Sequence, residues 1–102
     1  MTANLTEKEF SKHTGTSFTT SVGEREVALK LAEVKSYLPE KNEQGGMERF
    51  SVFFDGPGDI RLRQMTYHFR HPEMGEFALF LVPISGDEKG FRYEAVFNYF
   101  KK

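Results

Sequence analysis

Gln64, Tyr67 and His71, spaced along QMTYHFRH (residues 64–71), are the side chains whose types and spacing could build a site. His68 and His71 stand three apart, and side chains on a strand alternate faces, so the two imidazoles cannot share a metal ion unless the chain bends. His71 with Glu73 or Glu76 would make only a loose site, and His13 lies far away in the sequence. No metal or other cofactor is expected. If the chain bends near Gln64, the three polar groups Gln64, Tyr67 and His71 converge at one mouth of a barrel. An aromatic wall with two or three polar groups is a usual small-ligand site. The competing reading is structural. In it His71 hydrogen-bonds turn backbone beside Pro72, Gln64 satisfies backbone groups at a bulge, and Tyr67 spans core to surface.

Other constellations carry less. Arg61 and Arg63 alternate on one expected strand, and with Arg70 and Arg92 they resemble the face of an oligonucleotide-binding barrel. The formal net charge of −1, from 14 basic and 15 acidic side chains, supplies no field for phosphates and argues against nucleic acid. DGPGD (residues 55–59) lacks the Lys-Ser/Thr of a P-loop and the ligand spacing of an EF-hand, and reads as a hairpin turn. Ser51 and Ser85 lie outside any nucleophile-elbow pattern. Asp55, Asp59, Glu76 and Glu94 have no spacing that singles out an acid–base pair. The chain has no cysteine, which excludes disulfides, thiolate metal sites and cysteine nucleophiles.

The elements that must position these groups read as follows. Thr6 and Glu9 form a capping box, with Leu5 and Phe10 at the staple positions and Gly15 as the C′ residue, so a short helix runs over about 6–14. Strands follow from about residue 16. Val27, Leu29 and Leu31 alternate, while Val27, Leu31, Val34 and Leu38 also fit a helical stripe; the surrounding strands favour a strand over 27–38 with a bulge near Ala32–Glu33. EKNEQGG (residues 40–46) is a connection. Phe50, Val52 and Phe54 share a face. Ile60 and Leu62 have the opposite parity to Tyr67, Phe69 and His71, which calls for a bulge or bend near Arg63–Gln64. HPEMGE (residues 71–76) is a reversal. FALFLVPI (residues 77–84) is apolar on both parities, so it is expected to be a central strand covered on both sides, with Pro83 ending its pairing. FRYEAVFNYF (residues 91–100) is the last strand.

Eleven phenylalanines and four tyrosines in 102 residues supply the core, and tight turns separate the strands. The reading is one all-β, mainly antiparallel domain over 1–102, a meander of six or seven strands closed as a small barrel or folded as a sandwich, with a short N-terminal helix. The N-terminus MTANLTEKEF has no apolar signal region, and no run approaches the ~18 apolar residues of a membrane span. A cytoplasmic protein with no membrane partner is therefore expected.

The succession FSVFFDGP, LRQMTYHFRHPEMGEFALFLVPI and FRYEAVFN resembles a small bacterial family known only as a domain of unknown function, over nearly the whole chain from FSKHTGTSF. The resemblance implies a compact β domain from a bacterium or its phage, without an assigned activity, that accompanies phage-tail-like or surface-adhesion proteins. Met65 stands where that pattern often has a small residue, which argues against an open cleft beside Gln64. The expected function is a non-enzymatic interaction or structural module, with a protein partner or a homo-oligomer. The alternative is a small-ligand barrel using Gln64, Tyr67 and His71.

Overall fold

Inward side chains recur at every second residue, as a pleated strand requires. Phe18 and Thr20, then Val27, Leu29 and Leu31, then Phe50, Val52 and Phe54, then Tyr67, Phe69 and His71, are all buried. So are Phe77, Leu79 and Leu81, and finally Tyr93 and Ala95. Each fully buried Phe or Leu contributes roughly 1.5–3 kcal/mol relative to exposure. The computed structural model describes residues 5–36 and 47–100, the first two and last three residues of the second segment by backbone alone. The connection over 40–46, residues 37–38 of the expected second strand, and the lysine end lie outside the described residues.

A helix α1 (Glu7–Ser11) precedes six strands: β1 (Ser17–Val22), β2 (Arg25–Ser36), β3 (Met47–Gly56), β4 (Met65–His71), β5 (Gly75–Asp87) and β6 (Gly90–Phe100). They form a closed antiparallel barrel in the order β1-β2-β3-β6-β5-β4, so the choice between barrel and sandwich falls to the barrel. The ambiguous segment is a strand, and its register shifts between Leu31 and Glu33. That bulge turns Val34 back toward the core after the odd-numbered series Val27, Leu29 and Leu31.

The simple meander does not hold. β3 and β4 are consecutive in sequence but three places apart either way round the ring. The DGPGD segment is therefore not a hairpin turn. It opens a crossover, residues 57–64, that spans one mouth of the barrel from wall to opposite wall. Ile60 and Leu62 belong to this crossover and not to a strand. The parity conflict with Tyr67 is resolved by the absence of a strand there, with no bulge needed. Leu62 is buried and closes this mouth from below. Gly58 lets the crossover lie against the β5–β6 hairpin, where a Cβ would collide with the Glu88 carbonyl and the Gly90 nitrogen.

The other mouth is closed by α1. Thr6 Oγ1 accepts the Glu9 N–H at 3.1 Å, while the Glu9 carboxylate turns to Lys12 Nζ at 3.3 Å, so only half of the capping box forms. Five helical residues cannot persist alone. Phe10 anchors them, its ring centroid lying 5.5–6.2 Å from those of Phe18, Phe50, Phe77 and Phe97. The helix stops at Ser11 with Lys12 as C-cap, so Gly15 is not its C′ residue. Gly15 instead takes φ +91° in the following turn and donates its N–H to Leu31 O at 2.7 Å.

Two expectations for β5 also change. Phe77, Leu79 and Leu81 face inward, but Ala78 and Phe80 are exposed, so the strand is covered on one face only. Pro83 does not end the pairing. It stands opposite Tyr93 at a register shift, and the ladder resumes at Ser85 and runs to Asp87. A bulge is one of the few places a sheet tolerates a residue without an N–H.

Phe10→Ala should lower the unfolding free energy by about 3–5 kcal/mol, because the plug and the packing of α1 are lost together. Thr6→Ala, which removes only the cap, should cost about 1 kcal/mol. Urea titration followed by far-ultraviolet circular dichroism reads both.

Candidate functional site

The barrel is closed unevenly. β3 and β6 pair through ten residues, Met47–Gly56 against Gly56's partner Phe91 up to Phe100. β1 and β4 pair through only two, Thr19 with Arg70 and Thr20 with Phe69. The next rung would set Ser21 against His68. Instead the Thr20 hydroxyl donates to the His68 carbonyl at 2.7 Å, replacing a ladder bond as the strands part. Beyond it β1 runs into the two-residue turn Gly23–Glu24, where Gly23 at φ +63° supplies the positive φ that a tight hairpin needs.

A cleft of about 500 Å³ occupies this split seam. Residues 21–23 of the β1 hairpin form one side, residues 65–68 of β4 the other, and residues 61–63 of the crossover the floor. Met65 is half exposed and forms part of the wall. The cleft stays open beside it, while Gln64, the residue beside which its bulk argued against a cleft, is not among the lining residues.

The floor is held by two tyrosines. The Tyr67 hydroxyl donates to the Arg63 carbonyl at 2.7 Å, and the Tyr93 hydroxyl accepts the Leu62 N–H at 2.8 Å. Burial, with Tyr93 adding to it, pushes the Tyr67 pKa above its ordinary value, so the phenol stays protonated and donating. Arg25 grips Asp59 through both carboxylate oxygens at 2.9 Å, tying the crossover to the start of β2 and holding the Asp59 carboxyl below its usual range. Arg61 and Arg63, on either side of the buried Leu62, are exposed and line the cleft.

Of the three residues singled out by sequence, only Tyr67 lines the cleft. Gln64 is exposed and outside the lining. His71 faces inward like Tyr67 but lies four residues on, about 13 Å along the strand, at the α1 end of the barrel. The structure does not bring Gln64, Tyr67 and His71 to one mouth. His68 and His71 do take opposite faces, and His68 is exposed, with Nε2 2.8 Å from Glu76 Oε1.

His71 belongs to a separate buried network, in which it hydrogen-bonds the turn backbone beside Pro72, as the structural reading of the sequence expected. Its Nδ1 accepts the backbone N–H groups of Glu73 and Met74, both at 3.1 Å. Amides only donate, so Nδ1 carries no proton and Nε2–H points at Thr16 Oγ1, 3.0 Å away. The Thr16 hydroxyl in turn donates a hydrogen bond to the His13 carbonyl at 2.6 Å. The His13 ring lies 4.6 Å from that of His71, tilted by 56°, and its Nδ1 is 3.6 Å from Glu73 Oε2. The residues that sequence reasoning missed are thus His13, Thr16, Thr20 and Tyr93, each brought in from a distant element. Among the described residues, no three His, Asp or Glu side chains are grouped to hold a metal ion.

Residues 5–97 match a family model described as Domain of unknown function (DUF6916). No curated protein and no solved structure matches the chain. No helix among the described residues is long and apolar enough to cross a membrane.

Burial, and then the neighbouring His13, depress the His71 pKa below 6.5, against a smaller opposing effect of Glu73. The native state therefore binds fewer protons here than the unfolded chain. The stabilisation is present above the unfolded pKa of about 6.5 and is lost as pH falls through it toward the native value. Urea midpoints should drop between pH 7.5 and 5. His71→Ala should be less stable at pH 7.5 by about 1–3 kcal/mol, since two amides lose their acceptor, and should show a flatter pH dependence.

Proposed function

The chain belongs to the family described as Domain of unknown function (DUF6916), and from its geometry we propose that it is a non-enzymatic binding domain whose site is the cleft in the β1–β4 seam. One observation carries this reading. The seam stops pairing after two rungs, and the gap is backed by a crossover pinned by two tyrosines. A volume of about 500 Å³ lies within the range of small-molecule sites. Binding is favoured over catalysis because the reactive groups of the lining face other partners. Ser21 Oγ accepts from Arg70 Nη1 at 3.3 Å, and His68 Nε2 faces Glu76. The hydroxyl–imidazole contact that would activate a nucleophile is not made there.

The test is a thermal-shift screen of a small-molecule panel, followed by amide-resolved NMR with each stabilising compound. Bound compounds should shift the amides of Ser21, Leu62, Thr66 and Tyr67. If no compound stabilises the protein, or if the shifts fall elsewhere on the barrel, the reading fails.

A second reading, self-association within a larger assembly of the phage-tail-like or surface kind, is favoured by two side chains. Phe80 and Val96 are 51% and 64% exposed. They flank the place where β5 leaves β6, since the β5–β6 ladder begins only at Val82. A strand edge beside exposed apolar groups invites a second copy. Sedimentation velocity should show concentration-dependent dimers that Phe80→Ser abolishes; a wild-type monomer at high concentration removes this reading.

A further inference from the structure

Five of the six arginines of this chain fall into two groups. Arg25 pairs with Asp59, Arg70 with Glu26, and Arg92 with Asp55 and Glu33. Arg61 and Arg63 pair with no carboxylate among the described residues, although they sit between these paired neighbours on a chain rich in acids. Both line the seam cleft, and no carboxylate lines it with them.

We propose that the cleft is an anion site, in which Arg61 and Arg63 hold the carboxylate or phosphate of a small molecule whose apolar part rests against Val22 and Met65. This deepens the reading of the seam as a ligand cleft and rests on it. A guanidinium presents its donors as a planar fork that matches either oxyanion with two parallel hydrogen bonds. The two forks are carried by backbone that is already fixed. Tyr93 holds the Leu62 N–H and Tyr67 holds the Arg63 carbonyl, so the residues bearing both arginines lose little freedom when a ligand arrives. The barrel wall behind them excludes water on one side, which strengthens a charge pair relative to open solvent. His68 and Thr66 add polar groups at the rim.

The probes are benzoate, phenyl phosphate, the neutral benzamide and inorganic phosphate, titrated against the full chain with the amides of Ser21, Leu62, Thr66 and Tyr67 as reporters. Benzoate or phenyl phosphate should bind about tenfold or more tightly than benzamide, and which of the two leads identifies the oxyanion. Inorganic phosphate should bind more weakly than phenyl phosphate, because it lacks the apolar part. Arg61→Gln and Arg63→Gln should each weaken the anion about tenfold, and raising salt from 0.1 to 1 M should weaken it further. Both arginines are exposed, so these variants keep the fold, and their unchanged melting temperature is the control. Equal binding of benzamide and benzoate, with no loss in either arginine variant, overturns the anion site and leaves the cleft standing. Silence of every seam amide toward all four probes, together with a failed panel screen, overturns both.

Discussion

The barrel depends on one constraint: the chain must travel from β3 to β4 across an open mouth, and the backbone it exposes on the way must find partners. A crossover has no neighbouring strand to supply them, and buried unpaired peptide groups are costly. The domain meets this with side chains from the wall. Tyr93 accepts the Leu62 N–H, Tyr67 covers the Arg63 carbonyl, and Arg25 grips Asp59. The same segment places Leu62 in the core and Arg61 and Arg63 on the surface. Closing the barrel and building the candidate site are therefore one structural act.

The seam follows from how the ring is assembled. Two three-stranded sheets, β1-β2-β3 and β4-β5-β6, are each joined internally by consecutive strands and meet along β3–β6 and β1–β4. The first junction is long and the second has two rungs. Closing a sheet requires strands to tilt and stagger, and β1 and β4, though similar in length, part after two rungs. Thr20 marks where the short junction ends, its hydroxyl standing in for the missing rung at the His68 carbonyl. Past that point the strands part, and the cleft proposed as the ligand site lies in the opening.

The opposite mouth is solved differently. A five-residue helix with no stability of its own is held by one phenylalanine that touches four rings from four strands. Beside it His71 caps the β4–β5 turn through its unprotonated nitrogen. One mouth is thus packed apolar and sealed by a proton-sensitive network, and the other is cationic and partly open. The asymmetry explains why Tyr67 and His71, on one strand and one face, belong to unrelated parts of the molecule.

Much of the fold was legible from local pattern. The helix cap at Thr6, the alternation of Phe50, Val52 and Phe54, the bulge near Ala32–Glu33 and the antiparallel class all follow from side-chain period and turn chemistry, which act between near neighbours. His68 and His71 facing apart follows from the same period. What tertiary structure alone decided is which strands meet. DGPGD looks like a hairpin turn because its residues permit sharp bending, yet bending does not say where the next strand will dock; that choice was made by the burial of Leu62 and the tyrosine contacts from distant strands. FALFLVPI looks doubly covered because its composition is apolar, but only the ring's geometry leaves Phe80 outside. The site moved for the same reason: short-range periodicity sets the direction of each side chain, and contacts across the barrel set its company.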